Sequence, residues 1–470
     1  MRPDSLVPAT LSAPDVAPIR VLELELASDS EPRTPLPGAT AGGKTALVLV
    51  RIHGEPVGTV HVGVPTNGLT RSQCIPAIAR ELGQPILEHL HRDGANSRAA
   101  SDLCAAARMA QPACSAPRTA VLANPPSVSV VVATHDRPES VRNCIGSLAR
   151  QTYPRFEVLV VVNAPPPAVD FRHVQRAFAG DARIRWLHEP LPGACRARNL
   201  GIEEARGQII AFCDDDVIHD PDWLLELACA FQEAPGVGCA TGLVCPAELD
   251  TDAQIWFEQY GGLGTGFTPR LFDMGANRPA DPFYPFRPAT FGVGTNMAYR
   301  AEVVRELGGF DPSLGPGTPA CSGEDYALYY ATLLDGYQIA YRPSALVYHR
   351  HRRDYASLRQ QIHGYAVGYA AAISHSVLAN PLAGASIARG LPRGVVRLVR
   401  SKRSYAGRPG FPAELSRVEM QGLLFGPALL MLSKARASLL SRRAHSRKQE
   451  GAGVLHAFDD STGKEREQRT

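Results

Sequence analysis

The 470-residue chain lacks several features that would each have set its class. Its ten cysteines form no Cys-x-x-Cys pair. Neither a zinc site nor a disulfide framework is therefore expected, and the thiols read as small buried residues in a reducing compartment. No run of about 18 apolar residues supports a spanning helix. Met1-Arg2-Pro3-Asp4 leads into a Pro-rich polar stretch with no apolar segment, which argues against a secretory signal. The net charge is only +3, too small to select a nucleic-acid partner. These absences point to a cytoplasmic protein, long enough for two or three domains.

What is present is a change of pattern along the chain. Residues 1 to about 20 are rich in Pro, Ala and Ser and read as a disordered start. Val21 to Leu26 alternates like a half-buried strand. Thr45 to Val50 and Val57 to Val62 flank Gly54-Glu55-Pro56 as a hairpin, and Ile75 to His91 has helical spacing. Together they predict a small α+β domain over residues 1–95. His53, His61, His89 and His91 are read there as scattered surface histidines rather than metal ligands. Residues 96–126, rich in Ala, Ser and Pro, read as a linker.

From residue 127 strands alternate with helices. Val128 to Thr134, Phe156 to Val162, Ile184 to His188 and Gln208 to Cys213 are the strands. Pro138 to about Gln151 and Arg196 to Arg206 are the helices, the first with Pro near its first turn. This predicts an α/β domain over 127–355 with a mostly parallel sheet flanked by helices. Residues 356–445 predict a basic helical region, with fourteen Lys/Arg against two acidic residues between Arg389 and Lys448. Arg393, Arg397 and Arg400 share a helical face there, and Gly422 to Leu432 is apolar but too short to span a bilayer. Residues 446–470 read as a disordered tail.

The strand Gln208 to Cys213 ends in Asp214-Asp215-Asp216. Three adjacent carboxylates repel one another unless a cation or hydrogen-bond donors compensate. A parallel strand delivers its C-terminal end to the ligand crevice of such a sheet. Hard oxygen ligands there suit Mg²⁺ or Mn²⁺, which bind phosphate in turn. Three further segments accompany it. They are Ala133-Thr134-His135-Asp136-Arg137, Gly193-Ala194-Cys195-Arg196-Ala197-Arg198-Asn199, and Gly323-Glu324-Asp325 followed by Tyr348-His349.

In this order the four segments closely resemble the family 2 glycosyltransferases, nucleotide-sugar-dependent enzymes of the GT-A fold. The resemblance covers about residues 127 to 351. It implies a metal-dependent, inverting transfer of sugar from a nucleoside-diphosphate sugar to an acceptor hydroxyl. Asp214 and Asp216 match the family's metal-binding Asp-x-Asp, with His349 as a further ligand. Asp325 matches the general base and Glu324 its acceptor-side neighbour. Thr134, Asp136 and Arg137 match the wall of the base pocket, Arg198 and Asn199 the nucleotide site, and Gly294 and Asn296 the loop under the donor sugar. One departure stands out. The second strand ends Val162-Asn163 where the family commonly has an acidic pair. Asn163 is left to read the nucleobase, and a uridine preference does not follow.

Two other classes fit parts of the pattern. A sugar-phosphate nucleotidyltransferase would carry a Gly-rich basic loop after the first strand, which Thr134-His135-Asp136-Arg137-Pro138 is not. A non-catalytic carbohydrate- or membrane-binding relative would have little reason to keep Asp214, Asp216 and Asp325. The acceptor class stays open between a glycan, a lipid-linked sugar and a small molecule. The basic C-terminal region adds an expectation of peripheral contact with anionic membrane, on the inner face.

Overall fold

The computed structural model describes residues 6, 17–35, 42–94, 103–108, 112–281, 283–287, 289–380, 384 and 410–464, with side chains as far as 442. The basic stretch holding Arg393, Arg397 and Arg400, most of the N-terminal start and residues 465–470 lie outside that set.

Three strands, β1 (Ile19–Glu25), β2 (Thr45–Ile52) and β3 (Glu55–Gly63), form a first sheet in that order. β1 runs parallel to β2, and β2 and β3 make the predicted hairpin. The helix Arg71–Arg92 covers one face through Ile78, Ile86 and Leu90, with Thr70 and Gln73 closing a capping box at its start. The opposite face packs on the main domain: Ile19, Leu47 and Leu49 share a core with Leu249, Ile255 and Tyr348. A buried polar network spans the same contact. Arg51 binds Asp220, and Tyr348 Oη donates to Glu23 at 2.9 Å. The stretch read as a linker holds short helices at Leu103–Ala106 and Ala116–Ala123. Arg118 in the second pairs with buried Glu226.

The main sheet contains β4 (Val128–Thr134), β5 (Phe156–Asn163), β6 (Ile184–Glu189), β7 (Ile209–Asp214), β8 (Val217–His219), β9 (Val237–Pro246), β10 (Arg270–Phe272), β11 (Asn296–Arg300) and β12 (Gln338–His349). Their order is β10-β12-β9-β11-β7-β4-β5-β6, with β8 paired to β12. The α/β class is as expected, but the sheet is mixed. β6, β5, β4 and β7 are parallel, whereas β11 enters antiparallel between β7 and β9. The strand–helix alternation visible in the sequence belongs to the parallel half alone. There β4 and β5 are buried on both faces, which is why they read as unbroken Val-rich runs.

Two long helices follow. Tyr355–Ala379 starts at the N-cap Asp354, whose carboxylate accepts from the Ser357 N–H at 2.8 Å. The last helix, Glu414–Lys464, continues as far as residue 464 into the segment expected as a disordered tail. It also corrects the expectation that no helix could span a membrane. Glu414–Arg442 is long and apolar enough by length and composition. The apolar residues are spread around it in two stripes rather than one run. One stripe, with Leu415, Val418 and Leu430, is buried, and the other is exposed.

Candidate active site

The C-terminal ends of β4 and β7 open into a cleft of about 1360 Å³, walled on the far side by the helix Tyr355–Ala379 and roofed in part by the last helix. Thr134, Asp136, Arg137, Asn163, Arg198, Asp214, Asp215, Asp216, Gly294, Glu324, Asp325 and His349 all line it. The three aspartates handle their mutual repulsion unequally. Asp215 is buried and accepts from Thr134 Oγ1 at 2.7 Å, and burial pushes its carboxyl up to about 7. Burial alone would raise Asp216 too. His349, Arg137 and Arg352 outweigh it and hold Asp216 well below the usual carboxylate range. Arg137 reaches both, at 3.1 Å from Asp215 and 2.5 Å from Asp216.

Asp216 has a second oxygen, Oδ1, that is buried without a hydrogen-bond partner. His349 Nε2 faces it at 3.4 Å. The other ring nitrogen of His349 lies 3.0 Å from His351 Nδ1, and His351 Nε2 lies 2.8 Å from buried Glu258. This chain fixes the His349 ring, as outer partners of metal ligands do. An orphan anionic oxygen and an oriented imidazole fit a divalent cation. Among the described residues no third carboxylate, thiol or imidazole atom closes on that pair. Such a cation would keep positions for phosphate and water, as Mg²⁺ and Mn²⁺ do.

Across the cleft, Gly323 adopts φ 92°, and a Cβ there would meet the Gly368 carbonyl oxygen at 2.1 Å. That glycine lets the helix Glu324–Leu334 begin with its first two carboxylates at the cleft. Asp325 accepts from the N–H groups of Gly294 and Tyr326, both at 2.8 Å. Burial pushes its carboxyl up to about 7, and neighbouring Glu324 adds to the rise. Glu324 is tied down by Arg198 Nη1 at 2.6 Å, and Arg198 Nη2 reaches Asp214 at 2.9 Å. One buried guanidinium thus links the acidic strand end to the helix that carries Asp325.

Several expected binding residues have other work. Arg198 spends its charge on Glu324 and Asp214 rather than standing free for a phosphate. Asn199 clasps the backbone of Phe310, donating to its oxygen and accepting from its nitrogen, both at 2.8 Å. Asn296 is fully buried behind the cleft, holding Trp223 and the carbonyls of Leu243 and Ala345. Asn163 accepts from Gly193 N at 2.9 Å and donates to Leu191 O at 2.7 Å, so it shapes the following loop instead of presenting a free amide. The sequence reading also missed Arg352. Its guanidinium is 41% exposed in the cleft wall, 3.8 Å from Asp216. The run Arg350-His351-Arg352-Arg353 directly after His349 was its only signal.

Residues 129–308 match the sequence family described as Glycosyl transferase family 2. A glucosyl-dolichyl phosphate glucuronosyltransferase of Haloferax volcanii is 28% identical over 192 residues, 40% of this chain and 57% of that protein. A pre-mycofactocin glycosyltransferase of Mycobacterium tuberculosis is 26% identical over 229 residues, 48% of this chain and 43% of that one. The chain therefore spans only about half the length of these curated relatives. Among solved structures, a mannosyltransferase of Pyrobaculum calidifontis in complex with GDP-Man and Mn²⁺ superposes with a TM-score of 0.44 at 16% identity, covering 64% of this chain and 87% of that one.

Proposed function

We propose that this chain, whose residues 129–308 carry a family 2 glycosyltransferase domain, moves a sugar from a nucleoside-diphosphate sugar to an acceptor hydroxyl by a single inverting displacement. The observation that carries this reading is the pairing of two unlike acidic centres in one cleft. Asp216 with His349 is suited to a cation, and Asp325 is held near neutral titration by burial. Mg²⁺ or Mn²⁺ on Asp216 and His349, with Asp214 beside them, would supply Lewis-acid stabilisation of the leaving diphosphate. Arg137 and Arg352 would add positive charge to the same oxygens. Asp325 takes the proton from the acceptor hydroxyl as that oxygen bonds to the anomeric carbon and the bond to the diphosphate breaks. Glu324 and Arg198 act through position. Thr134 and Asp136 line the cleft where the nucleoside would lie, and Gly294 N–H donates to Asp325.

The acceptor is proposed to be lipid-linked, with the enzyme resting on an anionic membrane. Leu424, Phe425, Met431, Leu432 and Leu439 are exposed on the last helix, which also roofs the cleft. The core reading is tested with Asp216→Ala. Nucleotide-sugar affinity in the wild type should rise on adding Mn²⁺, read by calorimetry, and that gain should vanish in the variant while its circular dichroism is unchanged. Equal affinity for both proteins with and without Mn²⁺ would overturn the assignment.

A further inference from the structure

His53, His89, Asp93 and Cys114 come from three separate segments and converge beside the first sheet. His53 occupies the β2–β3 turn with φ 53°. His89 and Asp93 stand one helical turn apart at the end of Arg71–Arg92, and Cys114 lies in the segment leading to the main domain. Their ligand atoms all fall within 4.8 Å of one another. His53 Nδ1 is 2.9 Å from Asp93 Oδ2, 3.4 Å from His89 Nε2 and 3.5 Å from Cys114 Sγ. His89 Nε2 is 3.2 Å from the same Asp93 oxygen.

A neutral His53 ring leaves its 2.9 Å contact with the Asp93 carboxylate unexplained by hydrogen bonding. His53 Nε2 lies 2.6 Å from the Ala107 carbonyl oxygen. A carbonyl only accepts, so Nε2 carries the hydrogen. In the neutral ring Nδ1 then presents a lone pair, and that lone pair meets a carboxylate, a second imidazole and a sulfur. A tetrahedral ion with bonds of about 2.0–2.3 Å separates its ligand atoms by roughly 3.3–3.6 Å. Three of the four spacings, 3.2, 3.4 and 3.5 Å, sit close to that range, and the His53–Asp93 spacing of 2.9 Å is shorter and would have to open by a few tenths of an ångström on binding.

Outer contacts of the kind that orient metal ligands are present as well. Ala107 fixes the His53 tautomer, Cys114 N donates to Asp93 Oδ1 at 2.8 Å, and Glu55 lies 3.5 Å from His89 Nδ1. Arg92 lies 3.5 Å from that same nitrogen.

We propose that His53, His89, Asp93 and Cys114 bind one Zn²⁺ as a closed structural site. Two imidazoles, a carboxylate and a thiolate neutralise the ion, and the thiol proton passes to solvent on binding. Four protein ligands leave no open position, so the role is architectural. The ion joins the hairpin turn, the helix end and the connecting segment. From there Arg118 reaches across: Nη1 donates to the His53 carbonyl at 2.5 Å while the same guanidinium pairs with Glu226 of the main domain.

The test uses the full-length protein. After exposure to Zn²⁺ and desalting, the wild type should retain about one equivalent of zinc by mass spectrometry. Replacement by Co²⁺ should give a thiolate-to-cobalt charge-transfer band. Cys114→Ser should lose that band, and Asp216→Ala should keep it, which separates this ion from any in the cleft. A cobalt-treated wild type with no thiolate band overturns the proposal without relying on a variant. So does a Cys114→Ser protein that holds zinc as firmly as the wild type. In either case the cluster is a His53–Asp93 ion pair with hydrogen-bonded neighbours.

Discussion

Asp325 carries a pH dependence that can be signed. Burial and the Glu324 charge place its carboxyl at about 7. Below that value it is protonated and cannot accept the acceptor's proton. Turnover should therefore rise with pH through about 7 and then level off. The stability effect runs the opposite way. An acid raised in the folded state from 3.8 contributes most below its unfolded value, and the contribution is lost as pH rises through about 7. Asp325→Asn keeps the shape but removes the proposed base, and should cost about 10²–10⁴-fold in rate. Donor affinity should hold, and the inflection near 7 should disappear from initial-rate profiles. An Asn variant with more than half the wild-type turnover would remove Asp325 from the mechanism.

At the scale of elements, the cleft depends on how two helices cross. Gly422 and Gly426 of the last helix lie against Tyr355–Ala379. A Cβ on Gly422 would meet Ala366 Cβ and the His363 carbonyl at 2.7 Å, and one on Gly426 would meet Ala370 Cβ at 2.5 Å. All three atoms are backbone or alanine Cβ and cannot swing away, so neither helix can yield without moving its axis. Gly426→Val should destabilise the protein by about 1–3 kcal/mol through overpacking, read as a lower denaturant midpoint. It should also lower donor affinity, because Leu423 and Glu419 on that helix line the cleft. A variant as stable as wild type would show that the helices are not in this contact. The parallel half of the sheet is the element most open to sequence reading. β4, β5 and β7 are long Val/Ile-rich runs with both faces buried. β10 and β8 are three residues each, and their pairing depends on β12 rather than on any pattern of their own.

At the scale of the whole molecule, the last helix presents an apolar surface to solvent. The last helix turns Leu415, Val418 and Leu430 inward and leaves Leu424 at 74% and Phe425 at 57% exposure. Arg417, Arg436 and Arg442 on the same helix add positive charge. An exposed apolar stripe flanked by cations suits the interface of an anionic membrane, and charge attraction there weakens with salt. Full-length protein should co-sediment with anionic vesicles more than with neutral ones, and less as ionic strength rises. Leu424→Glu combined with Phe425→Glu should abolish this without changing circular dichroism. Protein that stays in the supernatant with both vesicle types at low salt would make the stripe a surface of the soluble body.

The sequence by itself determined the α/β class of the central domain and the placing of Thr134, Arg137, Asp214–Asp216, Glu324, Asp325 and His349 around one cleft. It could do so because strand ends and helix starts carry those residues in local motifs, and the topology of a parallel sheet gathers strand ends on one side. Tertiary structure alone decided the rest. Nothing local distinguishes an Asn that faces a ligand from one that clasps a backbone: Asn163, Asn199 and Asn296 match binding positions in the sequence, and in the fold their amides are bonded to neighbouring backbone. Arg198 lines the cleft, but its partners come from strand β7 and a helix 126 residues on. The same limit applies to the histidines: His53 and His89, expected as scattered surface residues, have buried side chains. His53 and His89 are separated by 36 residues, and Cys114 comes from a stretch that looked like a linker. Only the folding of a hairpin turn onto a helix end brings those side chains within reach of one ion, because ligand geometry is a property of distance in space and leaves no spacing in the chain.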